Sequence, residues 1–177
     1  WGVPLRNDQK LFEFLFLEGM QAGLSWLTIL RKRKNYRKAF DGFDPKKIAC
    51  YKQTKIRSLL RNEGIIRNRL KIESAVTNAK AFLEVQQEFG SFRRFLWDMI
   101  GGHPIQNAWK RLGQIPSTSV ESDQMSRLLK DRGFRFVGST ICYAHMQATG
   151  MVNDHLIGCF RYSKVKQFAR NFGKRSS

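Results

Sequence analysis

The sequence predicts an all-α protein. Apolar residues recur at three- and four-residue spacing over long stretches, capping residues stand just before those stretches, and no segment alternates convincingly enough to be a strand. Pro4 leads in, and Asn7 or Asp8 caps the first helix. Leu11, Phe12, Phe14, Leu15, Phe16 and Leu17 follow, interrupted by Glu13 and closed by Glu18. A helix apolar on nearly every side is buried on nearly every side. Glu18 therefore emerges from the most buried helix, where an unpaired charge is costly and a carboxylate needs a partner or a role.

Two glycines, Gly19 and Gly23, loosen the chain before Ser25 caps a second helix. Trp26, Leu27, Ile29, Leu30, Tyr36, Ala39 and Phe40 form its inner face. Arg31, Lys32, Arg33, Lys34, Arg37 and Lys38, six cations in eight residues, form its outer face. That face reads equally as a solvated surface and as a phosphate-contacting ridge. Asp44-Pro45 starts the next helix. Thr54 is the expected cap of another, with Gly64 as its left-handed stop. Ile72, Ala75, Val76, Ala79, Phe82 and Leu83 stripe a long helix ended by Gly90. Ser91 opens one with Phe92, Phe95, Leu96, Met99 and Ile100 inside. Gly101-Gly102-His103-Pro104 breaks the pattern and leaves His103 exposed; residues 105–119 read as a loop.

At 177 residues the chain can fill one core. No apolar run approaches the roughly 20 residues of a membrane span, and no signal-peptide pattern is present, so the chain reads as soluble and cytoplasmic with no membrane partner. The sequence opens on Trp1 rather than methionine, and further native sequence is expected upstream. The balance of 32 basic to 14 acidic residues, net +18, points to a polyanionic partner, nucleic acid before membrane surface. Three cysteines, Cys50, Cys142 and Cys159, make no even disulfide framework and fit a reducing compartment.

The stretch Leu17-Glu18-Gly19-Met20-Gln21-Ala22-Gly23-Leu24-Ser25-Trp26 sets an acid opposite an aromatic across a glycine turn. That arrangement suits a pocket for a flat cationic ligand; a helix corner whose Glu18 reaches solvent has the same spacing. Further on, Ser122 is the expected cap of a helix carrying Met125, Leu128 and Leu129. Gly133-Phe134-Arg135-Phe136-Val137-Gly138 joins it to a helix starting at Ser139 or Thr140. Two helices on a short apolar turn form the pattern of a helix–hairpin–helix, near residues 123–149. Gly138 would let the backbone approach a phosphate, and the amides of the next helix would face the anion. Phe136, Val137 and Gly138 are thus the candidate DNA contacts, although an ordinary αα-hairpin has the same pattern. His155 and Cys159, four apart, suit two ligands of a tetrahedral zinc; taken alone, a core cysteine beside a histidine is the commoner arrangement. Residues 161–177 carry six cations and no acids and read as a mobile basic tail after a domain of residues 1–160.

Leu17-Glu18-Gly19, Gln21-Ala22-Gly23-Leu24-Ser25-Trp26, Gly133-Phe134-Arg135-Phe136-Val137-Gly138 and Val152-Asn153-Asp154-His155 together closely resemble the 3-methyladenine-DNA glycosylase I family, in order from Trp1 to Cys159. The resemblance implies an all-α helix–hairpin–helix glycosylase fold with a zinc site tying the chain ends. It implies a monofunctional, monomeric enzyme that hydrolyses the N-glycosidic bond of 3-methyladenine in alkylated double-stranded DNA. Bacterial, nucleoid-associated residence follows. The pocket acid falls on Glu18, the pocket aromatics on Trp1 and Trp26, and the element probing the flipped nucleotide's space on Gly23 and Leu24. His155 and Cys159 match two of four zinc ligands; the other two, and a pocket tyrosine, belong upstream of Trp1. Asn153 stands where the wider superfamily often has a catalytic aspartate. Asp154 is therefore expected to be structural, orienting His155. The alternative class is a non-catalytic DNA-binding module built on the same hairpin and charge.

Overall fold

Helix α1 (Asp8–Gln21) is the element around which the others pack, and it buries nine of its residues. Asn7 caps it, accepting from the Lys10 amide at 2.9 Å. Asp8 has a different task. Its carboxylate accepts from the Phe92 and Arg93 amides, each at 2.8 Å, and from Gln86 Nε2 at 2.6 Å. It thereby holds the start of another helix, where a negative charge meets the positive end of the helix dipole.

The computed structural model describes residues 1–172. Among them follow α2 (Trp26–Ala39), α3 (Pro45–Ala49), α4 (Gln53–Leu60), α5 (Arg69–Phe89), α6 (Phe92–Met99), α7 (Val120–Asp131), α8 (Ser139–Thr149) and α9 (Tyr162–Phe172). Helix α1 lies against α2, α5, α6 and α8, so its aromatic run meets neighbours on every side. Phe16 packs edge-on to Tyr36, Phe40 and Phe43, and Phe12 packs against Phe82. Fully buried side chains of this size contribute roughly 1.5–3 kcal/mol each.

The expected caps hold at Ser25, Asp44 and Ser91. Two others differ. Helix α4 begins at Gln53, one residue before Thr54, with no side-chain cap, and it ends at Leu60. Gly64 lies beyond it in a turn held by Asn62 and Asn35. Helix α7 is capped by Ser119 instead of Ser122. Ser122 sits at the third helical position, buried, and accepts from the Ser119 amide in a reciprocal capping box.

The all-α expectation has one exception: Ile105–Gln106 (β1) pairs in parallel with Val152–Asn153 (β2). Two residues per strand leave no alternation to read, so the pairing is invisible in sequence. The basic tail is also corrected over most of its length. Residues 162–172 form α9, with Val165, Ala169 and Phe172 buried. Phe172 packs 4.2 Å from the Trp97 ring, and the Arg6 guanidinium also lies over the Phe172 ring at 4.2 Å. The cations hid an apolar stripe at four- and three-residue spacing. Residues 173–177 lie outside the described residues.

Candidate active site

Glu18 occupies the last turn of α1 and is 1% exposed. Neither carboxyl oxygen has a hydrogen-bond partner among the described residues. Burial pushes its pKa up to about 8, because desolvation disfavours the charged form. The reading of Glu18 as a solvent-reaching corner is excluded.

The carboxyl looks into a cavity of about 370 Å³, walled by Trp1, Phe14, Leu17, Trp26 and Gln147. Trp26 opens α2, where Ser25 fixes it by accepting from the Thr28 amide at 3.2 Å. Trp1, also in the cavity wall, is 58% exposed, its ring stacked 3.9 Å from His155. The first residues reach that place by running over the end of α8: the Gly2 amide donates to Gln147 O and the Leu5 amide to Thr149 O. Gly150 makes the crossing possible. It has φ of 72°, and a Cβ there would collide with the Val3 and Pro4 backbone.

Gly23, with φ of 75°, and Leu24 form an exposed tip just beyond α1. The tip is tightened by Gln21, whose backbone carbonyl accepts from the Leu24 amide and whose side chain donates to Leu24 O. The turn between α7 and α8 runs as the sequence places it, from Gly133 to the start of α8 at Ser139. Gly138 has φ of −62° and simply precedes α8. Two residues of the turn are left-handed: Gly133, with φ of 83°, and Phe136, with φ of 56°, the latter an uncommon conformation for a bulky side chain. The Val137 side chain is buried and its carbonyl accepts from Ser126 Oγ at 2.7 Å. Val137 as a whole is only 1% exposed. The first amides of α8 lack helical acceptors by geometry.

The basic ridge on α2 is partly neutralised. Arg33 and Arg37 converge on Glu13, which is 4% exposed, at 2.8 and 2.6 Å. Arg33 also lines the cavity rim.

His155 and Cys159 do come together, Nδ1 to Sγ at 3.7 Å, with His155 Nε2 3.5 Å from Trp1 O. Among the described residues no group of three or more His, Cys, Asp or Glu side chains gathers as a metal site. Asp154 does not orient the His155 ring. Burial would raise its pKa, but hydrogen bonds from Asn107, Tyr143, Trp109 and Gln147 hold it low. It is a structural hub that fixes Gln147 in the cavity wall. Sequence reasoning missed Gln147 and the two small residues beside it, Ala144 and Ala148. The only available signal was a pair of alanines four apart on one helix face.

A lone buried carboxyl facing two indoles defines a receptor for a flat ring that brings positive charge. The Methyladenine glycosylase family profile matches residues 1–162, and the chain belongs to that family. It is 47% identical over 162 residues to DNA-3-methyladenine glycosylase 1 of Escherichia coli (strain K12), covering 92% of this chain and 87% of that one. Among solved structures it resembles a 3-methyladenine DNA glycosylase I at TM-score 0.88 and 49% identity, over 90% of this chain and 88% of that one. It also resembles the Staphylococcus aureus 3-methyladenine DNA glycosylase I, solved for the basis of 3-methyladenine recognition, at TM-score 0.89 and 35% identity. That match covers 92% of this chain and 86% of the other.

Proposed function

We propose that this protein excises 3-methyladenine from alkylated DNA by hydrolysing the N-glycosidic bond. The observation that carries the reading is the unpartnered Glu18 carboxyl beside Trp1 and Trp26. An N3-methylated adenine in DNA is cationic. Rotating its nucleotide out of the duplex costs a few kcal/mol, and Leu24 at its exposed tip would fill the gap. Inside the cavity the base meets indole faces, which attract a cation by about 0.5–2 kcal/mol.

Glu18 adds the larger share. A carboxylate about 4 Å from the positive ring contributes about 4 kcal/mol at an effective dielectric constant near 20. With a pKa of about 8, ionising it near neutral pH costs about 1.4 kcal/mol. The remainder, about 2.6 kcal/mol, is roughly a hundredfold preference for the charged base over neutral adenine. Water then attacks the anomeric carbon and gives up a proton to solvent, leaving a C1′ hydroxyl, while the C1′–N9 electron pair goes to the ring, which leaves as neutral 3-methyladenine. Among the described residues no lysine lines the cavity, so the reading is a monofunctional glycosylase without strand cleavage.

The finer parts rest on local geometry. The α7–α8 turn reads as a helix–hairpin–helix gripping one strand of double-stranded DNA through α8 amides. A structural zinc fits His155 and Cys159. Their 3.7 Å separation suits two ligands at about 2.0 and 2.3 Å from a tetrahedral ion. The second ring nitrogen faces a carbonyl, as ligand histidines require. Two further ligands would complete the site, which would hold the Trp1 segment to the start of α9. The protein would act as a monomer.

The test is release of 3-methyladenine from methylated duplex DNA, alongside titration with the free base followed by tryptophan fluorescence. Release and saturable quenching are expected. Salt-sensitive duplex binding without either would instead make it a non-catalytic DNA-binding module. Elemental analysis is expected to find about one zinc per chain in protein that retains both His155 and Cys159; folded, active, metal-free protein would remove the zinc.

A further inference from the structure

Helix α5 runs beneath both loops assigned to DNA and sends one buried polar side chain to each. Lys71 is 6% exposed. Its Nζ donates to Met20 O at 2.7 Å and Ala22 O at 2.6 Å, and lies 5.9 Å from the centre of the Phe136 ring. Asn78, two turns further along the same face, is also buried. It donates to Arg135 O at 3.0 Å and accepts from the Arg135 amide at 2.8 Å. Between these anchors Gly19 packs closely on the backbone and Cβ of Phe136. A long cationic side chain is rarely held under the surface. Here its charge meets the carbonyl end of α1, where the helix dipole favours a cation.

We propose that Lys71 is a positioning residue for excision, joining the Leu24 tip to the Phe136 turn so that both engage one duplex together. The inference rests on the glycosylase reading above. Ala22 is where the chain leaves α1 for Gly23 and Leu24, so its carbonyl bond sets the direction of the tip. The same ammonium faces the left-handed Phe136. Asn78 holds the adjoining residue of the turn by both of its peptide groups. Lys71 does not line the cavity, so it acts on the DNA and leaves base recognition to Glu18 and the indoles. Burial lowers its pKa, consistent with an ammonium that depends on these acceptors for its charge.

The experiment is single-turnover excision from methylated duplex DNA by Lys71→Met, read beside affinity for free 3-methyladenine. Misplacing the tip by about an ångström is expected to slow excision about 10- to 100-fold. Free-base affinity is expected to stay within about twofold. In a double-mutant cycle, Leu24→Ala is expected to slow the wild type severalfold and add little to Lys71→Met, the mark of coupled groups. Multiplying effects, or equal losses of excision and free-base binding, would overturn the proposal. If Lys71→Met fails to fold, Lys71→Gln, which keeps one donor, carries the same expectations at smaller size. Absence of excision by the wild type would instead overturn the glycosylase reading.

Discussion

Helix α1 buries two carboxylates, five residues apart, and they have opposite surroundings. Glu13 receives two arginines, Arg33 and Arg37, through bonds of 2.6 to 2.9 Å. Glu18, one and a half turns later, has no partner among the described residues. Both interrupt an apolar helix and both are buried. The difference is that one charge is compensated within the fold and the other awaits compensation from a ligand. Burying a polar group without a partner opposes folding, so under the proposed function the unpartnered Glu18 is where the base would bind, whereas the saturated Glu13 braces α1 against α2.

The largest effect that sharpens this contrast is in pH dependence. Glu18 is neutral below its unfolded pKa of 4.5 and holds its proton in the folded state until about pH 8. The folded state binds the extra proton in that window, so stability is full below about 4.5 and is lost progressively as pH rises to 8. The total is at most about 5 kcal/mol. Thermal unfolding of the wild type across this range is expected to show that decline, and Glu18→Gln to lack it. The same proton has the opposite sign for function: kcat/KM on methylated DNA rises with pH and levels near 8. Parallel pH profiles for the two proteins would break the contrast.

Next in size is Glu13→Gln, expected to destabilise by about 2 kcal/mol. Breaking a buried pair costs more, but the two arginines are partly exposed and screened. Excision per folded molecule is expected to stay within about threefold, measured by denaturant unfolding and by single turnover. Smallest is Arg37→Ala, which leaves Arg33 on Glu13: about 1 kcal/mol, with no change in free-base affinity.

Much of this was readable beforehand, and the failures have physical causes. The burial of α1 followed from its unbroken apolar run. The caps at Ser25, Asp44 and Ser91 followed from residue chemistry. Glu18 was visible as an acid in the wrong setting, and the family motifs placed Trp1 and Trp26 beside it. Which carboxylate would be paired was not readable, because the arginines reach Glu13 from another helix. Arg33 and Arg37 looked like members of a solvent-facing ridge. The pairing of residues 105–106 with 152–153 is set by contacts across more than forty residues, and each strand is too short for a pattern. Helix α9 was masked by its own cations. In the α7–α8 turn Gly133 is left-handed, as a glycine there suggests, but Phe136 is left-handed too, a conformation that sequence would not assign to a bulky residue.

The account stands most directly on one comparison: excision of 3-methyladenine from methylated duplex DNA by Glu18→Gln and Glu13→Gln, measured together near neutral pH with folding checked for each. The expected result is a fall in kcat/KM of about a hundredfold for Glu18→Gln in a protein at least as stable as the wild type, and near-normal excision by a less stable Glu13→Gln. Undiminished excision by Glu18→Gln, with unchanged preference for the alkylated base, would contradict it.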